Sequence, residues 1–219
     1  MYLLLDIGNT REKAALFQDQ KITTLSELSA GSLNSMPLKA VYFACVANDA
    51  RLTELKVELS LDHLPWYQVQ SEAQAFGITN CYAEPHLLGV DRWLALLGAR
   101  QLFTNQSVMI VDAGTALTVD WLDKGGKHQG GWIMPGLQLQ QQSVVQQTAK
   151  VFNKILFDAK VAPGRDTTSC LQNGCLAAVI GAIRQGWLLN IAEQLILTGG
   201  DTFYLIDQLA DLNVITEPL

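Results

Sequence analysis

Two short segments place a carboxylate, a glycine and a hydroxyl at the end of an apolar run. They are Asp6-Ile7-Gly8-Asn9-Thr10 and Asp112-Ala113-Gly114-Thr115. Glycine lets the backbone approach a ligand closely and frees the amides of a turn to face phosphate oxygens. Thr10 adds a hydroxyl donor. An ionised aspartate only accepts hydrogen bonds and repels a phosphate unless a metal intervenes. A carboxylate inside a phosphate-cradling turn therefore points to a metal-bound nucleotide, with magnesium near Asp6. An Asx-bonded hairpin turn is the competing reading for the first segment alone. Two such turns facing each other would clamp a polyphosphate from both sides. Neither segment is a Gly-x-x-x-x-Gly-Lys-Ser/Thr loop, and the dinucleotide glycine fingerprint is absent, which disfavours P-loop and Rossmann enzymes.

Gly89-Val90-Asp91-Arg92-Trp93 precedes a helical pattern. Asp91 reads as an N-cap on one view. On the other, its carboxylate accepts a hydroxyl proton while the Arg92 guanidinium binds a carboxylate or phosphate in fork geometry. Thr198-Gly199-Gly200-Asp201 follows a strand pattern. Its glycine pair either lets an adenine ring lie on the backbone or makes a helix-entry turn capped by Asp201. His63, His86 and His128 lack ligand spacing and read as surface or satisfied histidines. The five tryptophans read as packing residues. Cys45, Cys81, Cys170 and Cys175 show neither Cys-x-x-Cys spacing nor a paired histidine, which disfavours zinc and a disulfide framework. They read as reduced, mostly buried thiols of a cytoplasmic protein.

The elements that must hold these residues follow from hydrophobic pattern. Strands are predicted over Tyr2–Ile7, Ala14–Phe17, Ala40–Val46, Trp66–Val69, Ser107–Val111, Leu117–Leu122 and Gln194–Thr198. Gly130–Gly136 reads as strand then turn, and Asn213–Thr216 as a last strand. Helices are predicted over Thr53–Leu61, Asp91–Phe103, Leu137–Val151, Thr167–Ala192 and Thr202–Leu209. Residues 71–88 read as a long irregular loop, a length more often functional than spacing. The first and second Asp-x-Gly segments lie 106 positions apart (112 minus 6), about half the chain. Each has a strand before it and a returning strand after it, which suggests two related halves.

Composition bounds the reading. The 219 residues are 49% hydrophobic and 16% charged, a globular balance that excludes disorder for most of the chain. The net charge of −6, with Lys and Arg never forming a run, argues against nucleic acid as a partner. The opening segment has no basic region before its apolar run, so it reads as neither signal peptide nor membrane anchor.

Five segments in order resemble the type III pantothenate kinase family, also called the Bvg accessory factor family. They are Asp6-x-Gly-Asn-Thr10, Gly89-x-Asp-Arg92, Asp112-Ala-Gly-Thr-Ala116, Gly131-x-Ile-x-Pro-Gly136 and Thr198-Gly-Gly-Asp201. The resemblance implies an α/β fold of two ribonuclease-H-like domains, that of the acetate and sugar kinase, heat-shock ATPase and actin superfamily, with ATP between them. The domains would be residues 1–104 and 105–219. It implies ATP-dependent phosphorylation of pantothenate to 4'-phosphopantothenate, the first step of coenzyme A synthesis. Asp6, Ile7, Gly8, Asn9, Thr10, Arg11, Glu12 and Lys13 match the first phosphate loop, and Thr115 matches a phosphate contact. Asp91 matches the general base. Gly89, Val90, Asp91 and Arg92 match the pantothenate-binding segment, and Tyr82 a substrate-contacting tyrosine. Asp112 matches the ligand of a monovalent cation, potassium or ammonium. Thr167 matches a threonine donated across a homodimer interface, with Thr168 as the neighbouring register. Glu12 departs from the family, which commonly has an apolar residue there. Another small-molecule kinase or phosphatase of this superfamily, or a non-catalytic ATP-binding regulator, are the rival readings.

Overall fold

The computed structural model describes residues 1–8, 12–46, 49–147, 159–189 and 192–218. Asn9, Thr10 and Arg11 of the first Asp-x-Gly segment lie outside the described residues, as does the predicted helix end at 148–151.

The first sheet contains β1 (Tyr2–Ile7), β2 (Glu12–Gln18), β3 (Lys21–Leu25), β4 (Val41–Cys45) and β5 (Trp66–Gln68), in the order β3-β2-β1-β4-β5. β1 runs antiparallel to β2 and parallel to β4. The helices α1 (Ala30–Leu33) and α2 (Asp49–Glu58) accompany it. Two-residue alternation in β1 buries Leu3, Leu5 and Ile7 and leaves Asp6 half-buried on the other face. Those residues share a core with Val41, Phe43, Leu55 and Leu59. Each such side chain contributes roughly 1.5–3 kcal/mol of hydrophobic stabilisation.

β6 (Gln74–Ala75) and β7 (Ile78–Thr79) form a small hairpin, followed by a 3-10 turn at Pro85–Leu87 and α3 (Val90–Leu102). The second sheet contains β8 (Val108–Ala113), β9 (Ala116–Leu122), β10 (His128–Pro135), β11 (Gln194–Thr198) and β12 (Val214–Thr216). Its order is β10-β9-β8-β11-β12, with β8 antiparallel to β9 and parallel to β11. α4 (Leu137–Gln147) and α5 (Thr167–Leu188) precede β11, and α6 (Thr202–Leu205) follows it. Met109, Val111 and Ala113 of β8 pack with Leu176, Val179, Ile180 and Ile183 of α5. Gly186 lets α5 come close, since a Cβ there would stand 3.0 Å from Trp121 and 3.1 Å from Met109. Trp121 and Trp132 meet edge to face at 4.8 Å, so both are packing residues.

The same strand order and the same senses therefore occur twice. Each is a ribonuclease-H-like sheet, and the chain has the fold of the acetate and sugar kinase, heat-shock ATPase and actin superfamily. The internal Asp-x-Gly echo falls on the equivalent central strands β1 and β8. The chain divides into two compact units: Met1–Glu72 with His86–Trp93, and Ala73–Pro85 with Leu94–Leu219. Residues 73–85 join the second unit through the Thr79 N–H, which donates to the Gly126 carbonyl at 2.9 Å.

Several elements differ from the sequence expectation. β3 is additional, entered through a tight turn at Asp19-Gln20 with φ of 50° and 62°. A two-residue hairpin of this hand usually carries Asn-Gly or Asp-Gly, so Asp-Gln gave no turn signal. α2 runs over Asp49–Glu58 where Thr53–Leu61 was expected. The 71–88 stretch is not structureless, since it holds β6, β7 and the 3-10 turn. Asp112 and Ala113 end β8, which leaves Gly114 and Thr115 as the turn. α5 ends at Leu188, and Thr202–Leu209 is an α-helical turn followed by a 3-10 turn. The cysteines are not mostly buried. Cys175 is buried, Cys45 is half-buried, and Cys81 and Cys170 are exposed, because short loop and helix-surface positions hold the last two.

Candidate active site

In the first unit, Asp6 and Lys13 face each other across β1 and β2. The Lys13 Nζ lies 3.7 Å from Asp6 Oδ2, and both side chains remain about half exposed. Glu12 at the start of β2 accepts a hydrogen bond from Arg51 Nε of α2 at 2.7 Å. Arg51 also donates to Glu58 at 3.1 Å. These two carboxylates raise the already high guanidinium pKa. Glu12 thus ties the start of β2 to α2.

The same unit holds Gly89, Val90, Asp91 and Arg92. Asp91 is not the helix cap. It lies in the first turn of α3, and its Oδ1 accepts the Arg92 N–H at 2.7 Å. Gly89 holds the N-cap position, and its carbonyl accepts the first intrahelical bond from the Trp93 N–H at 2.9 Å. A Cβ on residue 89 would stand 2.6 Å from Asp91 Oδ1, so glycine keeps that carboxylate's position open. Arg92 is 5% exposed, so its guanidinium is largely withdrawn from solvent. Ser71, itself buried, donates to the Leu88 carbonyl at 2.7 Å and anchors the approach to Gly89. Sequence reasoning passed over Ser71, because a lone serine in a loop carries no pattern.

In the second unit, the Gly114-Thr115 turn is braced from two sides. The Gly114 N–H donates to the Ala116 carbonyl at 3.0 Å, and the Gly136 N–H donates to the Thr115 carbonyl at 2.9 Å. A Cβ at Gly136 would overlap the Gly114 carbonyl. Gly199, at φ 94°, stands so close to β8 that a Cβ would overlap the Ala113 carbonyl and Asp112 Oδ1. The Asp201 N–H donates to the Ala113 carbonyl at 2.8 Å. The two glycine segments near Gly136 and Gly199 thus serve one purpose, close packing of backbone around the Asp112–Thr115 turn. Asp201 occupies the N-cap place of α6, where it makes no side-chain capping bond. The Thr115 side chain is left at the exposed tip of the turn.

Tyr82 also belongs to the second unit, where Asn80 shapes its loop. Asn80 Oδ1 accepts the Tyr82 N–H at 3.0 Å and Nδ2 donates to the Pro85 carbonyl at 3.2 Å. The Tyr82 ring stacks on His128 at 6.2 Å and 13°. His128 is fully buried and bonded to Asp120, a satisfied histidine. Thr167 is the first residue of α5 and exposed, while Thr168 is half-buried. Asp166 caps this helix by accepting the Ser169 N–H at 2.9 Å. That bond and the Ser169 hydroxyl hold the Asp166 carboxyl below its ordinary range.

Among the described residues, no three of His, Cys, Asp and Glu cluster as a metal cage. Magnesium bound with a nucleotide keeps several waters and needs only one or two carboxylates, a demand that the half-exposed Asp6 carboxylate fits. Among the described residues, no helix is long and apolar enough to cross a membrane.

The profile of the type III pantothenate kinase family matches residues 2–188. The type III pantothenate kinase of Pseudoalteromonas translucida is 37% identical over 205 residues, covering 91% of this chain and 85% of the relative. That of Colwellia psychrerythraea is 38% identical over 218 residues, covering 92% and 85%. A solved structure of a Baf family protein from Campylobacter jejuni superposes with a TM-score of 0.62 at 22% identity, covering 98% of this chain and 90% of that one. On its sequence, the chain belongs to the type III pantothenate kinase family.

Proposed function

We propose that this protein transfers the γ-phosphoryl group of ATP to the primary hydroxyl of pantothenate, giving 4'-phosphopantothenate and ADP, the first step of coenzyme A biosynthesis. The observation that carries this reading is the family match over residues 2–188, which spans the Asp6, Asp91 and Asp112 segments. Asp91 holds the pantothenate hydroxyl and accepts its proton as the oxygen attacks the γ-phosphorus. The displaced bond is that to the ADP oxygen. Such a transfer has a loose transition state, so positioning and charge neutralisation supply most of the catalysis. The open place that Gly89 leaves beside the Asp91 carboxylate supports this role.

Arg92, Gly89, Val90 and Tyr82 bind the acceptor. The Asp6–Lys13 loop and the Gly114-Thr115 turn bind the ATP phosphates. Bound cations, magnesium at Asp6 and potassium or ammonium at Asp112, offset phosphate charge that this acidic chain does not otherwise meet with lysine in its second turn. We take residues 1–104 and 105–219 as the two repeated halves. We also infer a cytoplasmic homodimer, in which Thr167 reaches the substrate site of the partner. Its exposed position supports that role, as does the exposed row of Gly174, Ala177, Ala178 and Gly181 along α5, where small residues permit close helix approach.

The test is pantothenate-dependent ADP release, measured in potassium and then in sodium. Turnover in potassium that falls in sodium is the expected result. Equal rates would remove the cation from Asp112. ATP binding without any pantothenate-dependent ADP release would replace the kinase reading with that of a regulator.

A further inference from the structure

Beside the proposed substrate tyrosine stands a group of side chains that the kinase reading does not use. Cys81 Sγ lies 3.4 Å from His128 Nδ1, and His128 Nε2 lies 2.8 Å from Asp120 Oδ1. All three belong to the second unit. His128 is wholly buried and Asp120 is 3% exposed, while Cys81 reaches solvent. A β-bulge in β10 sets this up. His128 pairs with Leu122 and Gly130 with Trp121, so Gln129 is the extra residue, and Gly130 takes φ 108°. Asp120 and Leu122 share a face of β9, and His128 opposite Leu122 therefore meets the Asp120 carboxylate.

The chemistry follows from the order of the contacts. An ionised carboxylate only accepts, so the Nε2 facing Asp120 carries the hydrogen. Nδ1 is then the imidazole's basic nitrogen, and it faces the thiol. The Cys81 S–H donates to it, and the proton can pass to a ring whose positive charge Asp120 stabilises. A thiol, a histidine base and a carboxylate that orients the base are the parts of an activated nucleophile. Thiolate character together with exposure is what makes a cysteine selectively reactive.

We propose that Cys81 is a histidine-activated thiol and a site of oxidation by hydroperoxides. The Cys81 thiolate attacks one peroxide oxygen, so an S–O bond forms as the O–O bond breaks. The sulfur is oxidised to the sulfenic acid, the peroxide is reduced, and the proton held by His128 goes to the departing oxygen to give water or an alcohol. The new oxygen lies one residue from Tyr82, whose ring rests on His128. Oxidation therefore disturbs the acceptor side of the site, a consequence that rests on the role proposed for Tyr82.

The experiment is alkylation of the intact protein by iodoacetamide at pH 6.5, followed by peptide mass mapping, with N-acetylcysteine as the unactivated reference. Cys81 is expected to react about 10-fold faster than the reference. Asp120→Asn and His128→Gln, checked for folding by circular dichroism, should bring it down to the reference rate. A wild-type Cys81 no faster than N-acetylcysteine overturns the proposal, whatever the variants do. Hydrogen peroxide followed by dimedone should label Cys81 ahead of Cys170, and labelling of Cys170 first also overturns it. Peroxide should raise the pantothenate KM of the wild type and leave Cys81→Ser unchanged. An activated, oxidisable Cys81 whose oxidation leaves KM alone would retain the thiol site and remove Tyr82 from substrate binding.

Discussion

The two Asp-x-Gly regions share a topology, and the described residues beside them are packed by different means. Beside the first, the described ends of β1 and β2 meet through side chains. Asp6 faces Lys13, and Glu12 is tied to α2 through Arg51. The second, between β8 and β9, is held by backbone. Gly136 and Gly199 come so close to residues 112–115 that side chains there would overlap carbonyl groups. Ion pairs at exposed positions are weak, tolerant and adjustable. Close backbone packing is stiff and intolerant, because a misplaced carbonyl cannot rotate away as a side chain can. The strand ends beside the first segment are thus joined by charges that a substitution can retune, and the second turn is closed by sterics that a substitution can only break. Asp91, the base we propose, is in the first unit.

This contrast yields a ranked set of outcomes. Asp91→Asn should cost at least ~100-fold in kcat with the melting temperature unchanged, since the amide keeps the shape and loses the base. Near-normal turnover would make Asp91 a positioning group. Gly199→Ala should destabilise the protein by about 1–3 kcal/mol and cut turnover, because residue 199 has φ 94° and no room for a Cβ. Unfolding in denaturant measures this, and an unchanged midpoint would show that the second turn adapts. Gly89→Ala should lower kcat by roughly 10-fold with little change in melting, because the added methyl displaces only the Asp91 carboxylate 2.6 Å away. Loss of stability with activity intact would reverse that assignment. Arg51→Ala should have the smallest effect, a melting shift of about 2 °C or less, as the ion pair with Glu12 is only partly buried and still reaches solvent. A shift as large as that of Gly199→Ala would erase the distinction between the two regions.

Much of this was legible in the chain. Gln194–Thr198 coincides with β11, and Tyr2–Ile7 with β1, because both are short apolar runs bounded by turn residues. The repeat was visible because both central strands end in Asp-x-Gly. β3 was not visible, since Lys21–Leu25 is exposed and its turn lacks glycine. The placement of α2 slipped because Leu55 and Leu59 fit the helical period while the polar residues before them carried no hydrophobic signal. The helical start at Val90 was anticipated to within one residue, and the role of Asp91 at that start was not. Asp91 lies two positions past the cap at Gly89, and which carbonyl accepts the Trp93 N–H depends on three-dimensional geometry.

The glycine segments mark the border between what each level of description can give. From the chain alone, Thr198-Gly199-Gly200 offered an adenine shelf or a helix entry, two local explanations. Folding supplies a non-local one, in which Gly199 and Gly136 close around a turn far from both in sequence. The grouping of Cys81, His128 and Asp120 has the same character, because a hairpin, a loop and a bulge bring together residues with no common spacing. Local pattern determined most of the elements, the two-fold repeat and the family, since these depend on period and on residues adjacent in the chain. Only the tertiary structure decided which glycines guard which carboxylate and which thiol meets a base. Those relations are set by distances between strands, and a linear sequence does not record them.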